Sequence, residues 1–220
     1  MLGIYGGTFD PVHYGHLRSA LEVKEALGIA DFRFLPCRTP PHRGLPGANP
    51  AQRLEMLELA LQHAGEGFSV DLREFYRDGP SYMVDTLKSL RKEEPTRAIC
   101  LILGLDAFSS LPSWNRWRQL FDLAHIAVVR RPDSQAPAWK GSLADILRLR
   151  QEKDPGMLQA TPNGKIIFLE ITQLAISATR IRNLVAKGRS PRYLLPDAVL
   201  AMILSQRLYQ APDTGAENQS

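Results

Sequence analysis

Short apolar runs alternate with longer amphipathic stretches along the chain. The runs have the length and the β-branched and aromatic content of strands, whereas the stretches show the helical repeat of apolar positions. Strands are predicted over residues 2–5, 32–36, 68–72, 98–103, 125–130 and 165–171, and helices over residues 17–27, 50–64, 81–92, 177–187 and 196–208. Strands that alternate with helices predict an α/β fold with a doubly wound parallel sheet, closed by a small C-terminal helical portion.

Two segments depart from this alternation. Residues 132–162 are less regular and are expected to form a small helical insert. Residues 210–220 are polar and poor in apolar side chains, so they are predicted to be a disordered tail. Because no internal repeat and no long linker occurs, we expect a single domain over residues 1–209.

The loops with the most distinctive composition all follow predicted strands. They span residues 6–16, 39–46, 104–115 and 175–182. A doubly wound sheet binds its ligands beyond the carboxyl ends of its strands, where the strand order reverses. These loops are therefore expected to converge on one crevice.

Composition narrows the class of ligand and the cellular compartment. The net charge is +4, and the basic clusters are spread out and mixed with acids, so the charge permits nucleic-acid binding but fits an anionic small molecule equally well. No apolar run approaches the ~20 residues that span a bilayer, and Met1 leads directly into a predicted strand rather than a signal peptide. Two cysteines, Cys37 and Cys100, fit a reduced, cytoplasmic setting.

The turn after the first strand contains two glycines, Gly6 and Gly7, and two histidines, His13 and His16. Glycines let the backbone approach a phosphate closely, and the N–H groups and dipole at a helix start attract its charge. A structural pair of histidines and a two-ligand metal pair are the alternatives. Directly after a strand and before a helix, the arrangement favours an anion-binding turn.

A second candidate element is ISATRIR, residues 176–182, which begins the helix after the last strand. Ser177 is a good N-cap, which by itself accounts for its position. Its hydroxyl, that of Thr179, the free N–H groups and the guanidinium of Arg182 could also converge on triphosphate oxygens.

Three further loop features each have both a structural and a ligand-binding interpretation. Asp106, after Gly104, could cap a short helix, bind a ribose or hold a metal-bound water. Trp117 is expected to pack its loop, whereas Trp114 could present a flat face to an aromatic ring. The turn at residues 40–43 is either a solvated loop or a phosphate clamp.

GGTFDPVHYGHL, followed in order by GLD, PSW and ISATRIR, resembles the nucleotidyltransferase superfamily marked by the (H/T)xGH motif. Within it, the match is to the bacterial nicotinate mononucleotide adenylyltransferases and runs from about residue 3 to residue 208. The resemblance implies a Rossmann-like domain that transfers AMP from ATP to nicotinate mononucleotide. The products are deamido-NAD and pyrophosphate, the Mg²⁺ is carried by ATP rather than by protein side chains, and no covalent intermediate forms.

The resemblance also implies roles for individual residues. The expected catalytic residues are His13, His16 and Arg182. The expected ATP-binding residues are Gly6, Gly7, Thr8, Phe9, Gly104, Asp106, Ser177 and Thr179. The expected nicotinate mononucleotide-binding residues are Thr86, Trp114, Asn115, His42 and Arg43, with the pyridine ring on Trp114 and its carboxylate held by backbone N–H groups near Thr86 and Asn115.

Two positions depart from the family pattern. Ala178 stands where the family usually has a second serine, and Arg43 where it often has lysine, so one hydroxyl is absent and one cation differs in shape. The alternatives are a phosphopantetheine adenylyltransferase, a cytidylyltransferase, a nucleotide-binding regulator without turnover, or an RNA-binding fragment related to class I tRNA synthetases. Nucleic-acid and membrane partners are not expected.

Overall fold

The computed structural model describes residues 1–39, 47–131, 137–172 and 174–210. The strands in this part of the chain are β1 (Leu2–Gly7), β2 (Asp31–Pro36), β3 (Phe68–Val70), β4 (Ile99–Gly104), β5 (His125–Arg130), β6 (Gln151–Glu152) and β7 (Ile166–Glu170). The α-helices are α1 (Tyr14–Ala26), α2 (Pro50–Leu61), α3 (Met83–Glu93), α4 (Leu105–Ser109), α5 (Gly141–Arg150), α6 (Ala178–Ala186) and α7 (Asp197–Ser205). None of these helices is long and apolar enough to cross a membrane.

The strands form one sheet in the order β3-β2-β1-β4-β5-β7-β6, and each pair is parallel. From β1 the chain moves outward to β2 and β3, then returns across the sheet and pairs β4 with the other side of β1. The strand order therefore reverses between β1 and β4, which is where a doubly wound sheet opens a crevice.

Alternate residues of the strands enter two separate apolar cores. In β4, Cys100 and Ile102 face one core, and Ile99 and Leu101 face the other. The first core also contains side chains of α1, α2, α6 and α7, and the second contains side chains of α3 and α5. Both faces of the sheet are covered, so the predicted single, doubly wound α/β domain is confirmed.

The first helix ends as its sequence predicts. Gly28 adopts φ +59°, and its N–H donates to the Glu25 carbonyl while the N–H of Ile29 donates to that of Lys24. This is a Schellman cap, in which glycine takes the left-handed conformation without steric cost. The cap turns the chain into β2.

The structure differs from the predicted elements mainly at helix ends and in the insert. The helix predicted over residues 50–64 ends at Leu61, and the one predicted over 196–208 ends at Ser205, before Arg207 takes φ +52°. The insert contains α5 but also the edge strand β6. With only two residues, β6 carries too little pattern to be found from sequence. The predicted tail lies mostly outside the described residues, and the boundary at residue 209 stays a prediction.

Candidate active site

The carboxyl ends of β1 and β4 open into a cleft of about 980 Å³ at the point where the strand order reverses. Its wall contains most of the predicted site residues, namely Gly6, Gly7, Thr8, Phe9, His13, His16, Gly104, Asp106, Trp114, Asn115, Ser177, Thr179 and Arg182. Thr86 lies behind the wall, and His42 and Arg43 lie outside the described residues. The loops at residues 6–16, 104–115 and 175–182 thus converge as expected, and residues 40–46 of the fourth loop lie outside the described part of the chain.

Side chains crowd both glycines at the end of β1, and at Gly7 the neighbour is a rigid ring. A Cβ atom on Gly7 would lie 2.8 Å from the ring of Phe9, and one on Gly6 would lie 2.9 Å from the methyl group of Met83. Phe9 itself is 2% exposed and adopts φ +48°. Its ring is part of the core, so it is the backbone of this turn that faces a ligand.

His13 precedes the first residue of α1 and is buried in the cleft wall, with 6% exposure. Burial lowers the pKa of its imidazole to about 4. Among the described residues, its Nδ1 atom has no hydrogen-bond partner. At neutral pH, His13 is therefore an uncharged ring that can donate one N–H to a ligand.

His16 lies one turn into α1, and its ring stacks on that of His13 with centroids 3.7 Å apart. The backbone N–H of His13 donates to Nδ1 of His16 over 3.3 Å. In the neutral ring the proton must then be on Nε2. The intervening Gly15 makes room for this stack, because a Cβ atom there would lie 3.0 Å from the His13 ring.

Close to the histidine turn, Ser177 caps α6. Its hydroxyl oxygen accepts from the backbone N–H of Arg180 over 3.2 Å, as the N-cap interpretation requires. A hydroxyl that accepts one hydrogen bond retains its proton as a donor. Capping the helix and binding an anion are thus compatible roles for Ser177.

Arg182 lies one turn into α6 and reaches across to the glycine–histidine turn. Its Nη1 donates to the backbone carbonyl of Asp10 over 2.7 Å, and its Nη2 donates to the Thr179 hydroxyl over 3.3 Å. The guanidinium therefore links the two loops that form this end of the cleft.

The residues after β4 occupy the middle of the wall. Gly104 precedes α4, and a Cβ atom there would meet open space. Asp106 is an exposed residue in the first turn of α4, where the helix dipole favours a carboxylate. The N-cap of α4 is Gly104 rather than Asp106, so the capping interpretation is wrong, and the exposed side chain of Asp106 leaves ligand contact open.

The two tryptophans of the following loop differ as expected. Trp117 is 6% exposed and packs edge-on against Phe121, whereas Trp114 is half-buried and lines the cleft. Trp117 therefore packs the loop onto the core, and Trp114 has a surface that a ligand can reach.

Arg116 ties the Trp114 loop to the start of α3. Its Nη2 donates to both oxygens of Asp85, at 2.7 and 2.8 Å, and its Nε donates to the side-chain oxygen of Asn115 over 2.8 Å. Asp85 lies in the first turn of α3. This pair brings the tryptophan loop and the α3 N-terminus to the same end of the cleft.

The chain is similar to proteins with known names over nearly all of its length. A family model described as cytidylyltransferase-like matches residues 4–184. A probable nicotinate-nucleotide adenylyltransferase of Methylococcus capsulatus is 58% identical, covering 95% of this chain and 99% of the relative. Another from Pseudomonas putida W619 is 49% identical and covers 96% of both chains. The chain belongs to the cytidylyltransferase-like family, among the nicotinate-nucleotide adenylyltransferases.

Solved structures agree with this assignment at the level of the fold. Nicotinic acid mononucleotide adenylyltransferase of Plasmodium falciparum, complexed with NaAD, superposes with a TM-score of 0.69 at 18% identity. The match covers 94% of the enzyme and 96% of the Plasmodium chain. The Rossmann-like fold inferred from the motifs is therefore confirmed.

Thr86 is placed differently from the other predicted site residues of the enzyme. It is completely buried in α3, its backbone N–H donates to the Tyr82 carbonyl, and its hydroxyl donates to Glu74 over 2.7 Å. Met83 and Val84, the first residues of α3, line the cleft instead. The first N–H groups of a helix have no intrahelical acceptor, so these two residues are better placed donors than Thr86.

Glu74 is a cleft residue that the sequence patterns did not single out. It is 2% exposed, and burial raises the pKa of its carboxyl group. Burial, with the nearby Glu74 charge, also raises the pKa of the Cys37 thiol to about 11, so this cysteine stays a thiol. Glu74 lies in the loop after β3. Ligands of a doubly wound sheet bind beyond the carboxyl ends of its strands, so its position was the signal that could have found it.

Arg53 of α2 is the second residue that the patterns missed. It is 1% exposed, and its guanidinium donates to the backbone carbonyls of Thr8, Cys37 and Arg38 over 2.7 to 2.9 Å. It thereby joins the loop after β1 to the loop after β2. Its signal was its position on the same helical face as Met56, Leu57 and Ala60, where an arginine is unexpected.

Proposed function

We propose that the enzyme transfers AMP from ATP to nicotinate mononucleotide, forming nicotinate adenine dinucleotide and pyrophosphate. The observation that carries this proposal is that one cleft has two chemically different ends. The end formed by His13, His16, Ser177 and Arg182 is rich in donors for phosphate oxygens. The end formed by Trp114 and the start of α3 offers an aromatic face and helix N–H groups.

The reaction is proposed to proceed by direct in-line attack of the acceptor phosphate on the α-phosphorus. The acceptor phosphate is already a nucleophile, so catalysis needs alignment and stabilisation of charge rather than a general base. Neutral His13 and the neighbouring His16 would donate hydrogen bonds to phosphate oxygens around the reacting centre. Arg182, with the hydroxyls of Ser177 and Thr179, would hold the β- and γ-phosphates and stabilise the departing pyrophosphate.

The nucleotide would lie along the residues between these two ends. The backbone of the turn at residues 6–9 is proposed to contact ATP, and Gly104 and Asp106 to contact its adenosine. In the described part of the chain, no group of three or more His, Cys, Asp or Glu side chains could hold a metal ion. Mg²⁺ is proposed to arrive on ATP and to supply charge neutralisation for the phosphates, with Asp106 available to one of its water molecules.

Selection of the acceptor is proposed to lie at the α3 end of the cleft. Trp114 would stack on the pyridine ring, and the N–H groups of Met83, Val84 and Asn115 would donate to its carboxylate. A carboxamide presents an NH₂ group as well as an oxygen, so donors alone suit it less well. His42 and Arg43 lie outside the described residues and stay proposed phosphate contacts. Because Ala178 has no hydroxyl, the hydroxyl contacts to the β- and γ-phosphates would come from Ser177 and Thr179.

Pyrophosphate release from ATP tests this proposal, with nicotinate mononucleotide, nicotinamide mononucleotide and phosphopantetheine offered separately. We expect turnover to be fastest with nicotinate mononucleotide. If turnover is faster with nicotinamide mononucleotide or phosphopantetheine, that compound is the acceptor instead. If none of the three compounds is turned over, the protein is better explained as a nucleotide-binding regulator. ATP made chiral at the α-phosphorus tests the mechanism, since a single displacement inverts that centre and a covalent intermediate would retain it.

A further inference from the structure

Asp10, in the turn between Gly7 and His13, is a buried carboxylate surrounded by donors from distant parts of the chain. It is 6% exposed. Its Oδ1 accepts from the Tyr209 hydroxyl at 2.7 Å and from the backbone N–H of Ala48 at 3.1 Å. Its Oδ2 accepts from the backbone N–H of Gly47 at 2.8 Å. These bonds leave the carboxylate little freedom to rotate.

The same residue holds Arg182 by two groups. Nη1 of Arg182 donates to the Asp10 backbone carbonyl at 2.7 Å and lies 3.6 Å from Oδ2 of its carboxylate. Nη2 donates to Thr179. A guanidinium has five N–H donors in a fixed plane, so fixing Nη1 orients the remaining donors. The position of Asp10 therefore decides which way Arg182 faces.

Tyr209 reaches Asp10 from the last described turn of the chain, after α7. Its ring packs over Gly47, where a Cβ atom would lie 2.9 Å from the ring. Burial and the Asp10 charge both raise the pKa of the Tyr209 phenol, which keeps its proton as a donor. Its hydroxyl donates to Asp10, which also holds Arg182, so the carboxylate is the hydrogen-bonded link between the Tyr209 hydroxyl and the guanidinium.

We propose that Asp10 is a positioning residue that orients Arg182 in the cleft, and that Tyr209 acts through Asp10. The inference rests on the proposed function insofar as Arg182 contacts the phosphates of ATP. It assigns an indirect role in nucleotide binding to Tyr209, which does not itself line the cleft. Without the Tyr209 hydroxyl, the carboxylate would turn towards Arg182 and draw the guanidinium away from the phosphates.

A double-mutant cycle of Tyr209→Phe and Arg182→Ala in the full chain tests the inference. Arg182→Ala is expected to lower kcat/KM for ATP on the order of 100-fold, as loss of a charged phosphate donor does. Tyr209→Phe alone is expected to lower it about fivefold, within the range of coupled neighbouring residues. In the Arg182→Ala background, Tyr209→Phe should have no further effect. Multiplicative losses would overturn the proposal, because a purely structural role of Tyr209 acts regardless of Arg182.

Two further variants sharpen the result. Tyr193→Phe is the matched control, because Tyr193 is 81% exposed and should leave kcat/KM unchanged. Asp10→Asn should be more harmful than Tyr209→Phe, since both carboxylate oxygens accept from backbone N–H groups and an amide NH₂ cannot replace either. An Asp10→Asn enzyme with wild-type kinetics would contradict the proposal.

The affinity for ATP alone separates this inference from the proposed function. Calorimetric titration with Mg²⁺–ATP needs no acceptor. The Kd values for wild type, the two single variants and the double variant give the same double-mutant cycle for binding alone. If wild type releases no pyrophosphate but the cycle on Kd shows coupling, the proposed reaction fails and the positioning role stands. If turnover is normal but neither cycle shows coupling, only the positioning role is overturned.

Discussion

The imidazole rings of His13 and His16 stack with their centroids 3.7 Å apart and their planes at 21°. Two charged imidazoles at that distance would repel each other, so the burial that keeps His13 neutral also makes the stack possible. The pair can therefore offer N–H donors from two adjacent positions, with His13 carrying no positive charge. Arg182 supplies a permanent positive charge at this end of the cleft.

We expect His16→Ala to reduce kcat at least 100-fold while changing the melting temperature little. Its ring is only partly buried and lines the cleft, and alanine keeps the α1 backbone helical, so the loss falls on phosphate contacts more than on stability. Steady-state kinetics and thermal unfolding of the same preparation check this. His63→Ala, at an exposed histidine, is the matched control. A fall in melting temperature that parallels the loss of activity would favour a structural role.

Stability is expected to fall as the pH decreases from 6.5 towards 4. Burial lowers the pKa of His13 to about 4 and also lowers that of His125, so the unfolded chain binds protons in this range while the folded chain does not. For His13 the loss amounts to about 3 kcal/mol. Urea unfolding at several pH values should give a shallower dependence for His13→Gln than for wild type. Equal slopes would show that His13 titrates alike in both states.

Arg53→Met should lower the free energy of unfolding by ~3 kcal/mol or more. Methionine keeps much of the volume but leaves the carbonyls of Thr8, Cys37 and Arg38 without their buried donor. Chemical denaturation measures the loss, and Arg18→Met on the exposed face of α1 is the control. A variant as stable as this control would mean that the carbonyls find other donors.

Arg116→Ala is expected to raise KM for nicotinate mononucleotide about threefold and to change KM for nicotinamide mononucleotide less. It removes the cation that compensates Asp85 beside the proposed carboxylate-binding N–H groups, leaving an uncompensated negative charge. The effect is small because the pair is partly exposed, and it should shrink further in high salt. Arg118→Ala is the control. Equal changes for both acceptors would place selection elsewhere.

Secondary structure was predictable where a local signal was strong. The strand over residues 125–130 was predicted at its observed bounds, because a run of apolar β-branched residues buried on both faces has no competing pattern. The two-residue strand β6 was not predicted, since it depends on pairing with a neighbouring strand. The early end of α7 was not predicted either, since it depends on the left-handed backbone of residues 207 and 209.

The candidate site shows the same division. His13, His16, Ser177 and Arg182 were identified because each lies in a local strand–loop–helix pattern typical of phosphate binding. Thr86 was assigned to the acceptor site from the family resemblance, without a motif of its own. The structure instead places it behind Glu74, because one face of α3 packs inward and only the first turn faces the cleft.

The sequence by itself determined the alternation of the longer strands and helices, the strand–turn–helix around residues 6–16 and membership of the family. These follow from periodicity and motifs, which are properties of neighbouring residues. Only the tertiary structure decided how the buried polar groups are satisfied. Arg53 bonds to Thr8 across 45 positions and Tyr209 to Asp10 across 199, and such pairings arise when packing brings distant groups out of water together.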